Sequence, residues 1–203
     1  EEDSNPKIPN QNTIYEPGYE EKLVVPGEET KSSPTFTDKE GKEAKAPEGS
    51  KFAIPEDFKA PEGYEVKIDE NTGEITVTYP DESKLNKDTV EEFDVPVTVT
   101  YPDETTDEVK AKFKLDTDGD GKPDTEDEDD DNDGIPDEED SNPKIPNQNT
   151  IYEPGYEDGS GKPGDDVTID APKFTDKNGE PTEAPKGTKF TPGEDAPEGV
   201  TVD

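Results

Sequence analysis

Residues 116–140 read DTDGDGKPDTEDEDDDNDGIPDEED and carry fifteen carboxylates and one lysine in 25 residues. Such a run cannot collapse into an apolar core. It is either a self-repelling coil or a segment ordered by cations. The spacing favours the second. Asp116, Asp118, Asp120, Asp124 and Asp127 stand at positions 1, 3, 5, 9 and 12 of a loop, with Gly121 at 6 and Lys122 at 7, where a backbone carbonyl would face the ion. Thirteen residues on, Asp129, Asp131, Asp133, Asp137 and Asp140 repeat those places, with Gly134 at 6 and Ile135 at 7. Calcium takes about six to eight oxygen ligands, and alternate carboxylates wrapped round one centre supply them. The glycine permits the turn that brings position 7 back to the ion. Charge alone does not place two glycines and ten aspartates at one matching offset. The segment is therefore expected to bind about two Ca2+ ions through Asp116, Asp118, Asp120, Lys122, Asp124, Asp127, Asp129, Asp131, Asp133, Ile135, Asp137 and Asp140. Ile135, the lone apolar side chain here apart from two prolines, is placed to plug a small core between the loops.

The loops depart from an EF-hand. Position 12 is Asp rather than a bidentate Glu, and Pro123 and Pro136 interrupt any long flanking helix, which argues against a calcium sensor that opens a groove. The pattern DxDGDGxxDxxD followed by DxDxDGxxDxxD resembles the thrombospondin type 3 calcium repeat. That resemblance implies a segment wrapped round calcium with almost no hydrophobic core. Those repeats usually carry cysteines and this chain has none, so ion binding alone is expected to order the segment. Magnesium dehydrates reluctantly and rarely uses an all-protein cage. Transition metals are disfavoured without His or Cys. At millimolar calcium and dissociation constants of ~10⁻⁴–10⁻³ M, linkage gives on the order of 0.5–2 kcal/mol per site. That suffices to switch a short joint from loose to rigid, not to hold a domain together.

The formal net charge of the whole chain is −36, and apolar residues make up 23% of it. This acidity makes nucleic acid and anionic membrane poor partners. No apolar stretch is long enough for a transmembrane segment. The absence of cysteine leaves the redox compartment open.

Around the acidic joint the sequence repeats. Residues 3–20 recur letter for letter at 140–157, 137 residues later. Beyond them PTFTDK at 34–39 answers PKFTDK at 172–177, and PEGSKF at 47–52 answers PKGTKF at 185–190. A period this long is a whole domain plus joint rather than a solenoid unit. The expected organisation is 1–11, the end of a preceding joint and a lead-in; 12–115, a β domain; 116–140, the calcium linker; and 141–203, a partial second β domain. The second copy lacks the counterpart of residues from about 70 to 115. The chain thus reads as a piece of a longer array whose targeting and anchoring segments lie outside it.

Alternation of apolar and polar residues predicts strands. Tyr64, Val66 and Ile68 share one face, and Ile75, Val77 and Tyr79 share the next, joined by a turn at Gly73. Phe93, Val95, Val97, Val99 and Tyr101 alternate with polar residues, and Pro96 suggests an edge or bulge. Val109, Ala111, Phe113 and Leu115 alternate with three lysines, expected to face outward and protect an edge. Short runs at 23–25, 34–38 and 52–54 bring the count to about seven strands. Tyr15 and Tyr19 are placed to cap the core with wet hydroxyls. The natural solution is all-β, an immunoglobulin-like sandwich of two packed sheets, followed by a helix-free linker and a truncated second β domain. Leu115 hands over to Asp116 without slack.

YPDETTDEVKAKFKL at 101–115 is similar to the YPDGTTDxVxVxVxV signature that ends Rib/alpha-like domains, and GYEVKIDENTGEITVTYPDES at 63–83 resembles a segment of the long form of that domain. Glu104 replaces the usual glycine, so the turn there is expected to relax. The resemblance implies immunoglobulin-like repeats of Gram-positive, cell-wall-anchored, extracellular surface proteins of adhesion and biofilm formation.

Catalytic chemistry is hard to place. There is no His or Cys, no phosphate-binding glycine loop, and the serines lie in loops without a base. Exposed carboxylates are not a tuned acid–base pair. No inward strand face offers the buried Lys, Asn and acid of an isopeptide bond. Three roles remain. A spacer with calcium-stiffened joints has calcium and neighbouring repeats of the same chain as its partners. An adhesion module would grip a host glycan or protein through Tyr15, Tyr19, Tyr64, Tyr79 and Tyr101. A homophilic contact in biofilm would be bridged by calcium.

Overall fold

The computed structural model describes residues 7–202. It divides into two units, at 1–145 and 146–203. Among the described residues the first holds ten strands: β1 (Tyr15–Gly18), β2 (Lys22–Val24), β3 (Glu29–Ser32), β4 (Thr35–Asp38), β5 (Glu43–Ala44), β6 (Lys51–Ala53), β7 (Glu65–Ile68), β8 (Ile75–Thr78), β9 (Glu92–Thr100) and β10 (Thr106–Leu115). They form sheets in the orders β2-β10-β9-β6, β3-β8-β7 and β1-β4-β5. The fold is an all-β, immunoglobulin-like sandwich.

Period-two alternation explains which side chains meet. Ile75, Val77 and Tyr79 face Val95, Val97, Val99, Ala111, Phe113 and Leu115 in one core, and all of them are buried. Aromatic rings tie the layers together: Tyr64 meets Phe93 edge-on at 4.8 Å and Tyr79 at 5.0 Å between centroids. Such offset geometry adds to the burial of the rings. Gly63 has a φ of 86°, and a Cβ there would stand 2.5 Å from the Tyr79 ring, so only glycine fits this close approach.

Pro96 lies where β9 has a free side. Strand β6 covers only Lys51–Ala53 against Thr100, Val99 and Thr98, so the ring sits beyond its end. Lys110 and Lys112 face outward, but Lys114 is largely covered, and β10 lies inside its sheet between β2 and β9 rather than at an edge. Its last three residues pair in parallel with β2, Phe113 to Lys22 through Leu115 to Val24. The tyrosine caps are half-buried. Tyr15 packs on Tyr101 at 6.0 Å, and the Tyr19 hydroxyl donates to the Gly73 carbonyl at 2.7 Å rather than to water.

The turn at Glu104 is not relaxed. Glu104 adopts a φ of 69°, the conformation a glycine would take there. The Tyr101 amide still donates to the Thr105 carbonyl at 2.9 Å. Asp103 accepts from the Thr105 amide and hydroxyl, while Gln11 exchanges two hydrogen bonds with Asp103. These contacts hold a backbone conformation that an L side chain disfavours.

The second unit contains a short helix α1 (Gln148–Ile151) and strands β11 (Glu153–Gly155), β12 (Lys173–Thr175) and β13 (Pro181–Thr182). Their order, β11-β12-β13, reproduces β1-β4-β5 of the first unit. Phe174 and Phe190 meet at 6.3 Å, as Phe36 and Phe52 do at 6.2 Å. The sheet of the first copy is therefore rebuilt, with β11 from identical sequence and β12 and β13 from diverged sequence. Phe174 is buried there, while Phe190, Val167, Ile169 and Val200 remain exposed.

Candidate metal centre

Strand β10 delivers the chain into the acidic segment without a break. The Asp116 amide donates to the Val24 carbonyl at 2.9 Å, as though the parallel pairing of β10 with β2 ran one residue further. The Asp124 amide then returns to the Leu115 carbonyl at 2.8 Å. Lys114, only 14% exposed in its side chain, reaches Glu21, Glu92 and Glu126 and so ties the sheet to the first loop. The segment is thus fastened to the end of the sandwich by backbone and side chain together.

The two halves of the segment fold alike. In the first, Asp116 accepts from the amides of Gly119 and Gly121 at 2.9 and 3.0 Å, Asp118 from Asp120, and Asp120 from Lys122. In the second, Asp129 accepts from Asp133 and Gly134, Asp131 from Asp133, and Asp133 from Ile135. Positive φ falls at the same places, Gly119 and Gly121 in one loop and Asn132 and Gly134 in the other. Asparagine tolerates this region better than most residues, which is why position 4 need not be glycine. Each loop thereby turns its first, third and fifth carboxylates inward. Asp116, Asp118 and Asp120 each place an oxygen within 4.8 Å of the others, as do Asp129, Asp131 and Asp133.

The remaining expected ligands make contacts of their own. Asp124 accepts from the amide and hydroxyl of Thr117 at 2.7 and 2.6 Å, and Asp137 accepts from the amide of Asp130 at 2.9 Å. Position 9 therefore caps position 2 in both loops rather than joining the cluster of three. Asp127 accepts from the amide of Glu128 at 2.7 Å and pairs with Lys122 Nζ at 3.3 Å. Asp140 accepts from the Asn142 amide and adds its charge to those around Asp131. Ile135 is half-buried.

Electrostatics mark the second cluster. Asp131 is 7% exposed, and its Oδ2 is buried without a hydrogen-bond partner. Burial, then the charges of Asp133, Asp140 and Asp129, push its carboxyl up to about 7. In the first loop Asp118 is also raised, by burial first. A buried carboxylate oxygen facing other carboxylates is costly unless a cation or proton meets it. An oxygen-rich, thiol-free and imidazole-free donor set suits a hard divalent cation such as calcium.

A third cluster was not foreseen. Glu91, from the loop before β9, joins Asp124 and Asp130. At its centre lies Lys144, whose Nζ donates to Glu91 at 2.7 Å, Asp124 at 2.8 Å and Asp130 at 2.7 Å. Its side chain is 1% exposed. The three carboxylates outweigh burial and raise the ammonium further above its ordinary value. Asp130 is pushed up to about 7, by burial first. The Tyr64 hydroxyl donates to the Val90 carbonyl beside this site. The segment thus has an ion pair from within the chain to hold it, a contact the sequence reading did not include. A buried lysine does exist beside acids, but as an ion pair in a loop. Held as ammonium, it is no nucleophile for an amide bond. One signal was legible: Lys144 belongs to the stretch repeated letter for letter.

An immunoglobulin-like sandwich and a second unit that rebuilds one of its sheets flank the acidic segment in the sequence. The profile of the long Rib domain matches residues 12–116 and again 149–203. The chain belongs to the long Rib domain family, whose members are structural repeats of surface proteins. Among curated proteins none matches. Among solved structures, the crystal structure of the S-layer protein rSbsC(31-844) is 16% identical, with a TM-score of 0.26. That match covers 80% of this chain, which spans 23% of the length of that one. Among the described residues no helix is long and apolar enough to cross a membrane.

Proposed function

We propose that the chain is a spacer of a Gram-positive, cell-wall-anchored surface protein, in which calcium stiffens the joint between successive Rib domains and projects an adhesive region outward. One ion is held by Asp116, Asp118 and Asp120, and a second by Asp129, Asp131 and Asp133. Carbonyls at Lys122 and Ile135, and the carboxylates of Asp124, Asp127, Asp137 and Asp140, complete or support the shells. The observation that carries this reading is Asp131 Oδ2, buried and unpartnered among carboxylates, in a loop whose fold is repeated thirteen residues earlier. Tandem domains flex unless the link between them is short and ordered, and calcium is abundant outside the cell.

The adhesive alternative is disfavoured in the first domain, because three of its five tyrosines are spent inside and Tyr15 and Tyr19 are half-buried against the core. Tyr64, Tyr79 and Tyr101 are 6%, 2% and 2% exposed. Calcium titration calorimetry tests the assignment. Asp118→Ala and Asp131→Ala should each remove one bound ion from the stoichiometry, while unaltered stoichiometry in both would refute it. A particle mass that stays constant as calcium rises separates the spacer from the homophilic contact, which alone makes larger particles.

A further inference from the structure

Lys144 makes three charged hydrogen bonds to three parts of the first unit. Glu91 belongs to the sandwich, Asp124 to the first acidic loop and Asp130 to the second. The stretch that carries it has an internal control. Lys7 stands in an identical sequence at the head of the first domain. Yet Lys7 is exposed and its neighbour Ile8 is 90% exposed, whereas Lys144 is buried and Ile145 is 41% exposed. The same residues are thus buried or bare according to whether an acidic joint precedes them among the described residues. The burial of Lys144 is a property of the pocket, not of the local sequence.

The third carboxylate cluster resembles the two clusters of the loops in size and charge, but its cation is covalently part of the chain. We infer that Lys144 is a built-in latch. The head segment of each repeat inserts a lysine into an acidic pocket made by the preceding sandwich and its joint, and this fixes both loops on that sandwich before any metal binds. The partner of such a head segment is therefore another copy of this pocket. The latch spans both loops, since Asp124 and Asp130 lie on different ones and share one ammonium. It also couples to the metal sites by position. Asp130 sits between Asp129 and Asp131, and Asp124 caps the residue that follows Asp116. Removing the lysine leaves two buried carboxylates, Asp124 and Asp130, beside the half-buried Glu91, the most damaging way to break a buried ion pair.

Amide hydrogen exchange of the full chain in excess chelator tests this. Working without calcium keeps it separate from the metal reading: calorimetry can fail while the latch stands, and the reverse. Lys144→Met keeps the stem volume and removes the charge. It should accelerate exchange at the joint amides of Asp116, Asp124, Asp130 and Asp137 at least about tenfold. The amides of β9 and β10 should remain protected and report that the sandwich is folded. Glu91→Gln, which keeps a hydrogen-bonding side chain, should give a smaller acceleration at the same amides. Exchange at the joint equal to that of the unaltered chain in both variants, with the sandwich protected, would overturn the latch.

Discussion

Single residues decide how the acidic segment responds to protons and metal. With its carboxyl pushed up to about 7 from 3.8, Asp131 favours protonation in the folded chain. A raised carboxyl makes the folded joint progressively less stable as pH climbs from about 4 through 7, because the unfolded chain gives up that proton more readily. A bound cation reverses this by neutralising the same oxygen. Calcium affinity should therefore rise with pH across that window, and binding at pH 7 should release protons. Calorimetry in buffers of different ionisation enthalpy reads this directly; heats independent of buffer would contradict it. A second residue-scale prediction concerns Glu104, held at a φ of 69°. Glu104→Gly should stabilise the sandwich by about 0.5–1 kcal/mol, visible as a higher denaturant midpoint at unchanged slope. Gly63→Ala should do the reverse, by about 1–3 kcal/mol, because the new methyl would meet the Tyr79 ring at a positive φ.

Among elements, β8, β9 and β10 were readable from sequence because each has one buried and one wet face. Ile75, Val77, Val95, Val97, Val99 and Phe113 fall inside, as their spacing requires. Strands β1, β3 and β5 were not readable. They run through proline, glycine and charge, and are held by cross-strand pairing with β4 and β8 rather than by their own pattern. The loops were readable in their first, third and fifth positions, where local backbone geometry alone aims the side chain. Positions 9 and 12 also accept backbone amides, Asp124 from Thr117, Asp137 from Asp130 and Asp127 from Glu128, and that second task is not visible in the spacing. The lysine pocket was invisible for a different reason. Its members lie 53, 20 and 14 residues from Lys144, and only the folded sandwich brings them together. The division of labour between elements has a measurable consequence. Phe113→Ala, in the middle of the core, should cost about 3–5 kcal/mol and unfold the sandwich at lower denaturant. Asp118→Ala should leave the midpoint of the sandwich nearly unchanged, since its carboxylate contacts only its own loop.

At the scale of the whole molecule, the chain alternates regions that fold by burying apolar area with an acidic region that has little apolar area to bury. The net charge of −36 keeps separate chains apart, yet it leaves the joint with charge that nothing apolar can offset. Three cations would relieve that charge: one lysine carried by the chain and two calcium ions taken from outside. The lysine would set where the loops sit, and the ions would set how far they bend. Small-angle X-ray scattering of the full chain, at millimolar calcium and again in excess chelator, tests that claim most directly. With calcium the distance distribution should be narrower and extend further, and chelation should broaden it and shorten the mean extent while the sandwich stays folded. Superimposable curves in the two conditions would contradict a calcium-stiffened joint.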